Sequence, residues 1–193
     1  MQGDGSLTLD ERTILLQLAR QALVEAVHGR PLPAVNLDAL PPPLGQPGAS
    51  FVTLTEAGEL RGCIGALEPY QPLALDVCEH AAAAGLQDPR FPPVQPAELP
   101  QIKIEISRLT QPVDLPYDHP EDLPGRLRPG VDGVTLMDGW RRATFLPQVW
   151  EKLPNPPEFL NHLCYKMGVA PDLWRHKKLR VQVYQVEEFH ERA

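Results

Sequence analysis

The stretch SFVTLTEAGELRGCIGAL, Ser50 to Leu67, carries the pattern that decides the fold. Phe51, Val52, Thr53 and Leu54 favour an extended strand, Glu56 to Glu59 supply a turn containing Gly58, and the residues after it run back as a second strand. Strands joined by so short a turn lie antiparallel, because a parallel pair needs a long crossover. The returning strand is unusual. Gly62 and Gly65 bracket Cys63 and Ile64 behind Arg61, and glycine inside a strand weakens it. Such a pair marks a bulge, or a place where a ligand or another chain segment comes close to the backbone. The close-approach reading expects Gly62→Ala to cost less than ~1 kcal/mol, a few degrees of melting temperature, while weakening the association it obstructs.

The flanking segments extend the pattern. Upstream, TLDERTILLQLARQALVEAVHG predicts a helix: Thr8 and Glu11 have capping-box spacing, Ile14, Leu15, Leu18, Ala22 and Ala26 recur at helical intervals, and Gly29 and Pro31 end it. A proline-rich connection follows, crossing the surface. Downstream, QPLALDVCEHAAAAGL predicts an alanine-rich helix, and IKIEISRL alternates as a half-buried strand. A loop-rich stretch from Thr110 to Gly130 precedes a hairpin across Asp138 and Gly139. PQVWEKL and PPEFLNHLCYKMG predict two short helices, and LRVQVYQVEEF predicts a last strand. Strands joined by tight turns among helices define an α+β protein with a largely antiparallel sheet flanked by helices.

Composition narrows the function classes. The 193 residues suffice for one unit with a sizeable core, and 23 prolines mean many stiff connections. A formal charge of −7 argues against a nucleic-acid-binding surface. The basic cluster RHKK, Arg175 to Lys178, reads as a helix end. The N-terminus lacks a basic start and an apolar core of the signal-peptide kind, and no apolar run reaches the ~20 residues of a membrane span, so a soluble cytoplasmic protein is expected. Cys63, Cys78 and Cys164 match no CxxC pattern and read as reduced thiols. The six histidines are scattered, so no structural metal is expected, and no phosphate loop, dinucleotide fingerprint or nucleophile elbow calls for a cofactor.

Three places offer chemistry. Cys63 has Arg61 two residues away, on the same face of an ideal strand, and a glycine-flanked backbone, so its thiolate has potential stabilisers; the bland alternative is a small buried hydrophobe. In QDPRFPPV, Asp88, Arg90 and Phe91 form either a site or a well-built corner. In GVDGV and WRRATFLP, Asp132, Arg141 and Arg142 offer a carboxylate and two anion-binding forks, or surface ion pairs.

Taken in order, FVTL with LRGCIGAL, GLQDPRFPPV with ELP, IEISRLT, GVDGV and RRATFLPQVW resemble the AMMECR domain family, whose bacterial members are called AmmeMemoRadiSam system protein A. The resemblance spans residues 7–190 as one domain, leaving residues 1–6 as a tail. It implies an α+β fold whose larger and smaller lobes enclose a cleft walled by RGCIG. It also implies association with a Memo-type protein and a radical SAM protein. Carried onto this chain, it marks Cys63 as a catalytic candidate, and Arg61, Gly62, Ile64, Gly65, Asp88, Arg90, Phe91, Arg141 and Thr144 as ligand-binding candidates. Where many relatives read GVHG this chain has Asp132, so a role for a histidine there does not transfer; the QGW pattern of animal members is also absent.

Two functions compete. One is an enzyme or enzyme subunit that binds a small anionic or aromatic metabolite, with Cys63 as nucleophile or acid/base. The other is a non-catalytic binding or scaffold module for the Memo-type partner.

Overall fold

The computed structural model describes residues 6–191, so the expected tail over residues 1–6 lies, apart from Ser6, outside the described residues. In chain order the elements are α1 (Leu9–Val27), α2 (Pro42–Gly45), β1 (Pro47–Glu56), β2 (Glu59–Gly65), β3 (Gln71–Pro72), α3 (Leu73–Leu86) and β4 (Ile102–Leu109). They continue with β5 (Val113–Asp114), α4 (Leu123–Arg126), β6 (Gly133–Asp138), β7 (Arg141–Phe145), α5 (Pro156–Lys166), α6 (Leu173–His176), β8 (Arg180–Tyr184) and β9 (Val186–His190). The fold is α+β. The chain divides into two units, residues 1–110 with 187–193, and residues 111–186.

In the first unit α1 begins where its sequence says it should. The Thr8 hydroxyl accepts from Glu11 N, and Thr8 N donates to the Glu11 carboxylate at 2.7 Å, closing the capping box that typically contributes about 1 kcal/mol. Leu15, Ala19, Ala22 and Leu23 are fully buried against α3 and the sheet. The strands run in the order β2, β1, β4, β9, with β3 also on β1, and β1 is antiparallel to β2, β3 and β4. Ile102, Ile104 and Ile106 of β4 point into the core, as the alternation predicts, each worth roughly 1.5–3 kcal/mol of burial.

The β1–β2 turn is Ala57 and Gly58, both at positive φ, 51° and 87°. A left-handed alanine is strained, whereas glycine accepts that backbone freely. Ala57→Gly is therefore expected to stabilise by about 0.5–1 kcal/mol after the added unfolded-state entropy is set against the relieved strain. Calorimetry should show a melting temperature raised by a degree or more, and a lowered one would sink this account.

The second unit has its own sheet, ordered β5, β8, β6, β7, over a core of Val134, Leu136, Phe159, Leu160, Leu163, Trp150 and their neighbours. Trp150 stacks on Phe159 with ring centroids 3.7 Å apart. The β6–β7 hairpin turns through Gly139 and Trp140, one residue later than the Asp138-Gly139 signal suggests. PQVWEKL forms a 3-10 turn at Pro147–Glu151 in place of a helix, with prolines at positions 154, 156 and 157 allowing no continuation. RHKK does end a helix: Arg175 and His176 lie in the last turn of α6, where Lys177 pairs with Asp138 at 2.7 Å.

The single C-terminal strand expected over LRVQVYQVEEF is two strands in two sheets, β8 and β9, parted at Gln185. Alternation persists through the break, so periodicity gives no sign of it. Tertiary contacts fix β9 in the first unit. Glu187 accepts from Leu7 N at 3.0 Å, Arg12 at 3.1 Å and Arg108 at 2.7 Å. Glu191 takes Arg20 and Ile104 N.

Among the described residues no helix is long and apolar enough to cross a membrane, and no group of three His, Cys, Asp or Glu side chains gathers to hold a metal ion.

Candidate functional site

The unusual glycines of β2 have a structural cause. A Cβ at Gly62 would fall on the Ala84 carbonyl oxygen of α3, and one at Gly65 on the Phe51 ring and the Ser50 carbonyl oxygen, all closer than the 3.0 Å that side chains keep. Neither glycine has positive φ. The segment that approaches the backbone is therefore the protein itself, and Gly62→Ala is expected to have a larger thermal effect than ligand approach implies. Ile64 likewise packs against the core of the first unit.

Strand β2 also carries a bulge. Leu54 faces Gly62 and Thr55 faces Leu60, so Arg61 has no partner on β1. The extra residue breaks the alternation that would put Arg61 and Cys63 on one face. Arg61 instead forks onto Glu98, Nε to Oε1 at 2.7 Å and Nη2 to Oε2 at 3.3 Å. Glu98 also accepts from Gln95 N at 2.6 Å, and Arg61 first, then that amide, hold its carboxyl below the usual range.

Because β2 is the outer strand of its sheet, the Cys63 backbone groups that point away from β1 need partners. QDPRF supplies them. Cys63 N donates to Asp88 Oδ2 at 2.8 Å, and Arg90 Nη2 donates to Cys63 O at 3.2 Å. Asp88 is buried and takes Arg90 Nε at 2.9 Å, Nη2 at 2.6 Å and N at 3.1 Å. The Arg90 guanidinium first, with the two backbone amides, holds the Asp88 carboxyl well below the ordinary range against the opposing effect of burial. Phe91 N closes the corner on Asp88 O at 3.1 Å, with Arg90 over the Phe91 ring.

The Cys63 thiol is half-buried, and Thr53 Oγ1 donates to its sulfur at 3.3 Å. Arg90 lies near enough that Asp88 first, and the Cys63 side chain to a smaller extent, raise its guanidinium. Cys78 and Cys164 are buried among apolar side chains. Burial pushes Cys78 up to about 11 and is also the main cause that raises Cys164.

Arg141 and Thr144 fall in the second unit. Arg141 Nη1 donates to Gly168 O at 3.0 Å, and Thr144 Oγ1 lies between Thr135 Oγ1 and Tyr184 Oη, each at 3.0 Å. Asp132 is buried and binds Arg128 through both its backbone and its guanidinium, while its carbonyl takes the Trp150 indole at 2.7 Å. The residue at the GVHG position thus holds a loop.

Sequence reasoning misses Thr53, Glu98 and a buried polar group on the other side of β1. There Ser50 Oγ donates to Asp76 Oδ2 at 2.6 Å, and His80 Nδ1 lies 3.2 Å from the same oxygen. The i, i+4 spacing of Asp76 and His80 on α3 is the only signal that hints at this cluster.

An α+β fold with a glycine-flanked cysteine clamped by an Asp-Pro-Arg corner defines a class that comparison with known proteins identifies. The AMMECR1 family profile matches residues 16–189, and the chain belongs to that family. It is 42% identical to a protein of Methanothermobacter thermautotrophicus, with 96% of each chain covered. To Protein MK0488 of Methanopyrus kandleri it is 37% identical, over 96% of this chain and 90% of that one. Among solved structures, the crystal structure of the uncharacterized protein PH0010 from Pyrococcus horikoshii is similar, with a TM-score of 0.74 and 32% identity over 96% of this chain and 93% of that one.

Proposed function

We propose that this protein is a component of a Memo-type and radical SAM associated system. It binds a small anionic or aromatic metabolite beside the RGCIG segment and uses the Cys63 thiol as a nucleophile or acid/base. The observation that carries this reading is the setting of Cys63: a half-exposed thiol with a hydroxyl donor at 3.3 Å, an arginine beside it, and a backbone pinned on both its N–H and its C=O. Reactive cysteines need a partly exposed, cation-flanked environment, and rigid support keeps the sulfur aimed.

Limiting iodoacetamide on the native protein tests it. Modification is expected at Cys63 at least tenfold faster than at Cys78 or Cys164, read by peptide mass spectrometry, since the buried thiols must open before they react. Preferential labelling of either buried cysteine would remove the basis for a reactive thiol.

A second reading, a non-catalytic module for the Memo-type partner, is favoured by the occupancy of the arginines. Arg61 is forked onto Glu98 and Arg90 onto Asp88, so both cations serve the protein's own carboxylates. The two readings separate on Cys63→Ser. If the chain is a module, the variant captures the Memo-type partner as the parent does and supports the system's turnover; if the thiol does chemistry, capture persists and turnover is lost.

A further inference from the structure

The sheet of the first unit has a second face. Val52, Leu54, Ile64 and Ile104 point into the core shared with α1 and α3, so the residues between them on each strand point the other way. Cys63 belongs to that second set despite the bulge, because Gly62 before it lies against the Ala84 carbonyl of α3 and Ile64 after it packs in the core. The strand register then sets three side chains in one row: Thr53 of β1 is paired with Cys63 of β2 on one side and with Glu105 of β4 on the other. Directly opposed residues of antiparallel strands keep their Cβ atoms about 4.5–5.5 Å apart. Thr53 is thus the side chain between a thiol and a carboxylate, and its Oγ1 already bonds the Cys63 sulfur at 3.3 Å.

The surroundings of this row point to a ligand. On one side the Phe51 ring lies over Gly65, where a Cβ would fall 2.4 Å from the ring, and Ser107 of β4 is paired with Phe51. Ser107 is 9% exposed, and its hydroxyl makes no hydrogen bond among the described residues. Buried hydroxyls find partners, so this one is open to a group from outside the chain. On the other side a cavity of about 250 Å³ opens at Glu105, with Thr55, Lys103, Ile104, His190 and Glu191 as its other walls. Of the charged groups near the row, Arg90 is paired with Asp88 and Glu191 with Arg20, while Lys103 and His190 are exposed. The Glu105 side chain is partly buried and forms no ion pair among the described residues.

We propose that Glu105 is the proton acceptor of the Cys63 thiol, reached through the Thr53 hydroxyl, an inference that rests on the reading of Cys63 as a reactive thiol. As the sulfur bonds to an electrophilic carbon, the group displaced there leaves with its electron pair. The thiol proton passes to Thr53 Oγ1, and the Thr53 proton passes to a Glu105 carboxylate oxygen. A hydroxyl donates one hydrogen bond while accepting another, so the threonine ends as it began and Glu105 ends neutral. The electrophile that suits the face is a small planar compound, with its body against Phe51 and an acceptor for the Ser107 hydroxyl.

The pH dependence of Cys63 alkylation by iodoacetamide on the native protein, read by peptide mass spectrometry, tests this. At about pH 6, between the ordinary carboxylate and thiol ranges, thiolate is scarce and a carboxylate is ionised, so the relay carries the reaction. There Glu105→Gln and Thr53→Val are each expected to label Cys63 at least about tenfold more slowly than the parent, and at about pH 9.5, where free thiolate reacts, the three converge. Thr53→Ser keeps the hydroxyl and should keep the parental profile. Both positions are partly buried on a sheet face, and each variant should show parental circular dichroism. A Glu105→Gln protein that labels as fast as the parent or faster near pH 6 would overturn the relay, since the carboxylate would then act only as a charge that disfavours thiolate. A Thr53→Ser protein as slow as Thr53→Val would do the same. A parent whose Cys63 is no more reactive than Cys78 and Cys164 would instead remove the reactive thiol itself, and the relay with it.

Discussion

Gly62→Ala is expected to lower the melting temperature by about 10 °C, the equivalent of roughly 3 kcal/mol in a protein of this size. The added methyl would occupy the position of the Ala84 carbonyl oxygen, and neither group is the free end of a flexible side chain. Relief requires α3 to lift from the sheet or β2 to retreat from β1, and both are packed into the core of the first unit. Overpacking of this kind costs 1–3 kcal/mol or more, with the high end reached where backbone meets backbone. Gly29→Ala is an informative companion: its Cβ meets nothing within 4 Å, so any loss there reflects its φ of +70° alone. A Gly62→Ala protein that melts within two or three degrees of the parent would show that α3 yields easily.

Asp88→Ala should cost about 3 kcal/mol, because it strands several groups at once. Cys63 N loses its acceptor on the outer strand, and Arg90 loses the carboxylate that aims it at Cys63 O. A part-buried donor left unsatisfied costs about 1–3 kcal/mol, and losing the charge-assisted bonds to Arg90, whose side chain is largely exposed, adds a smaller amount. Asp88→Asn keeps an acceptor and should cost less. The charge has its own signature in pH. A carboxyl whose folded pKa is depressed contributes stability that is fully present above its unfolded value, about 3.9, and lost as pH falls through the folded one. The parent should therefore lose stability more steeply than Asp88→Asn below about pH 4, and the gap between them should narrow with further acidification. Parallel denaturation curves at all pH values would remove Asp88 from this role. Labelling of Cys63 in the same variants reports whether the clamp also tunes the thiol, since a freed backbone no longer holds the sulfur beside Thr53.

The two predictions concern the same motif, and they show how its parts were distributed between sequence and structure. The RGCIG and DPRF segments stand out in the sequence because glycine in a strand and an Asp-Pro-Arg corner are each costly or specific. Their relation to one another is not legible there. A two-residue turn with regular pairing would set Gly62 against Thr53, and only the bulge at Arg61 moves Cys63 opposite that hydroxyl. The bulge also sends Arg61 to Glu98, whose partner is 37 residues away in the chain. The sequence sets Asp132 beside Arg141 and Arg142 as a carboxylate among anion-binding forks, and only the structure shows that Arg128, four residues earlier, holds it.

What the sequence determined by itself was local. The capping box of α1, the isoleucine alternation of β4, the alanine-rich α3 and the tight turns were legible because propensity, period and backbone geometry act within a few residues. They suffice for an α+β class with antiparallel strands. Only the tertiary structure decided that one alternating C-terminal run becomes β8 and β9 in two sheets, since the fastening of β9 comes from Arg12, Arg20 and Arg108. Only the tertiary structure decided, too, that Gly62 lies against α3 rather than against a ligand. The physical reason is the same in both cases: these outcomes are fixed by excluded volume and charge pairing between segments far apart in the chain, and such terms have no local periodicity to read.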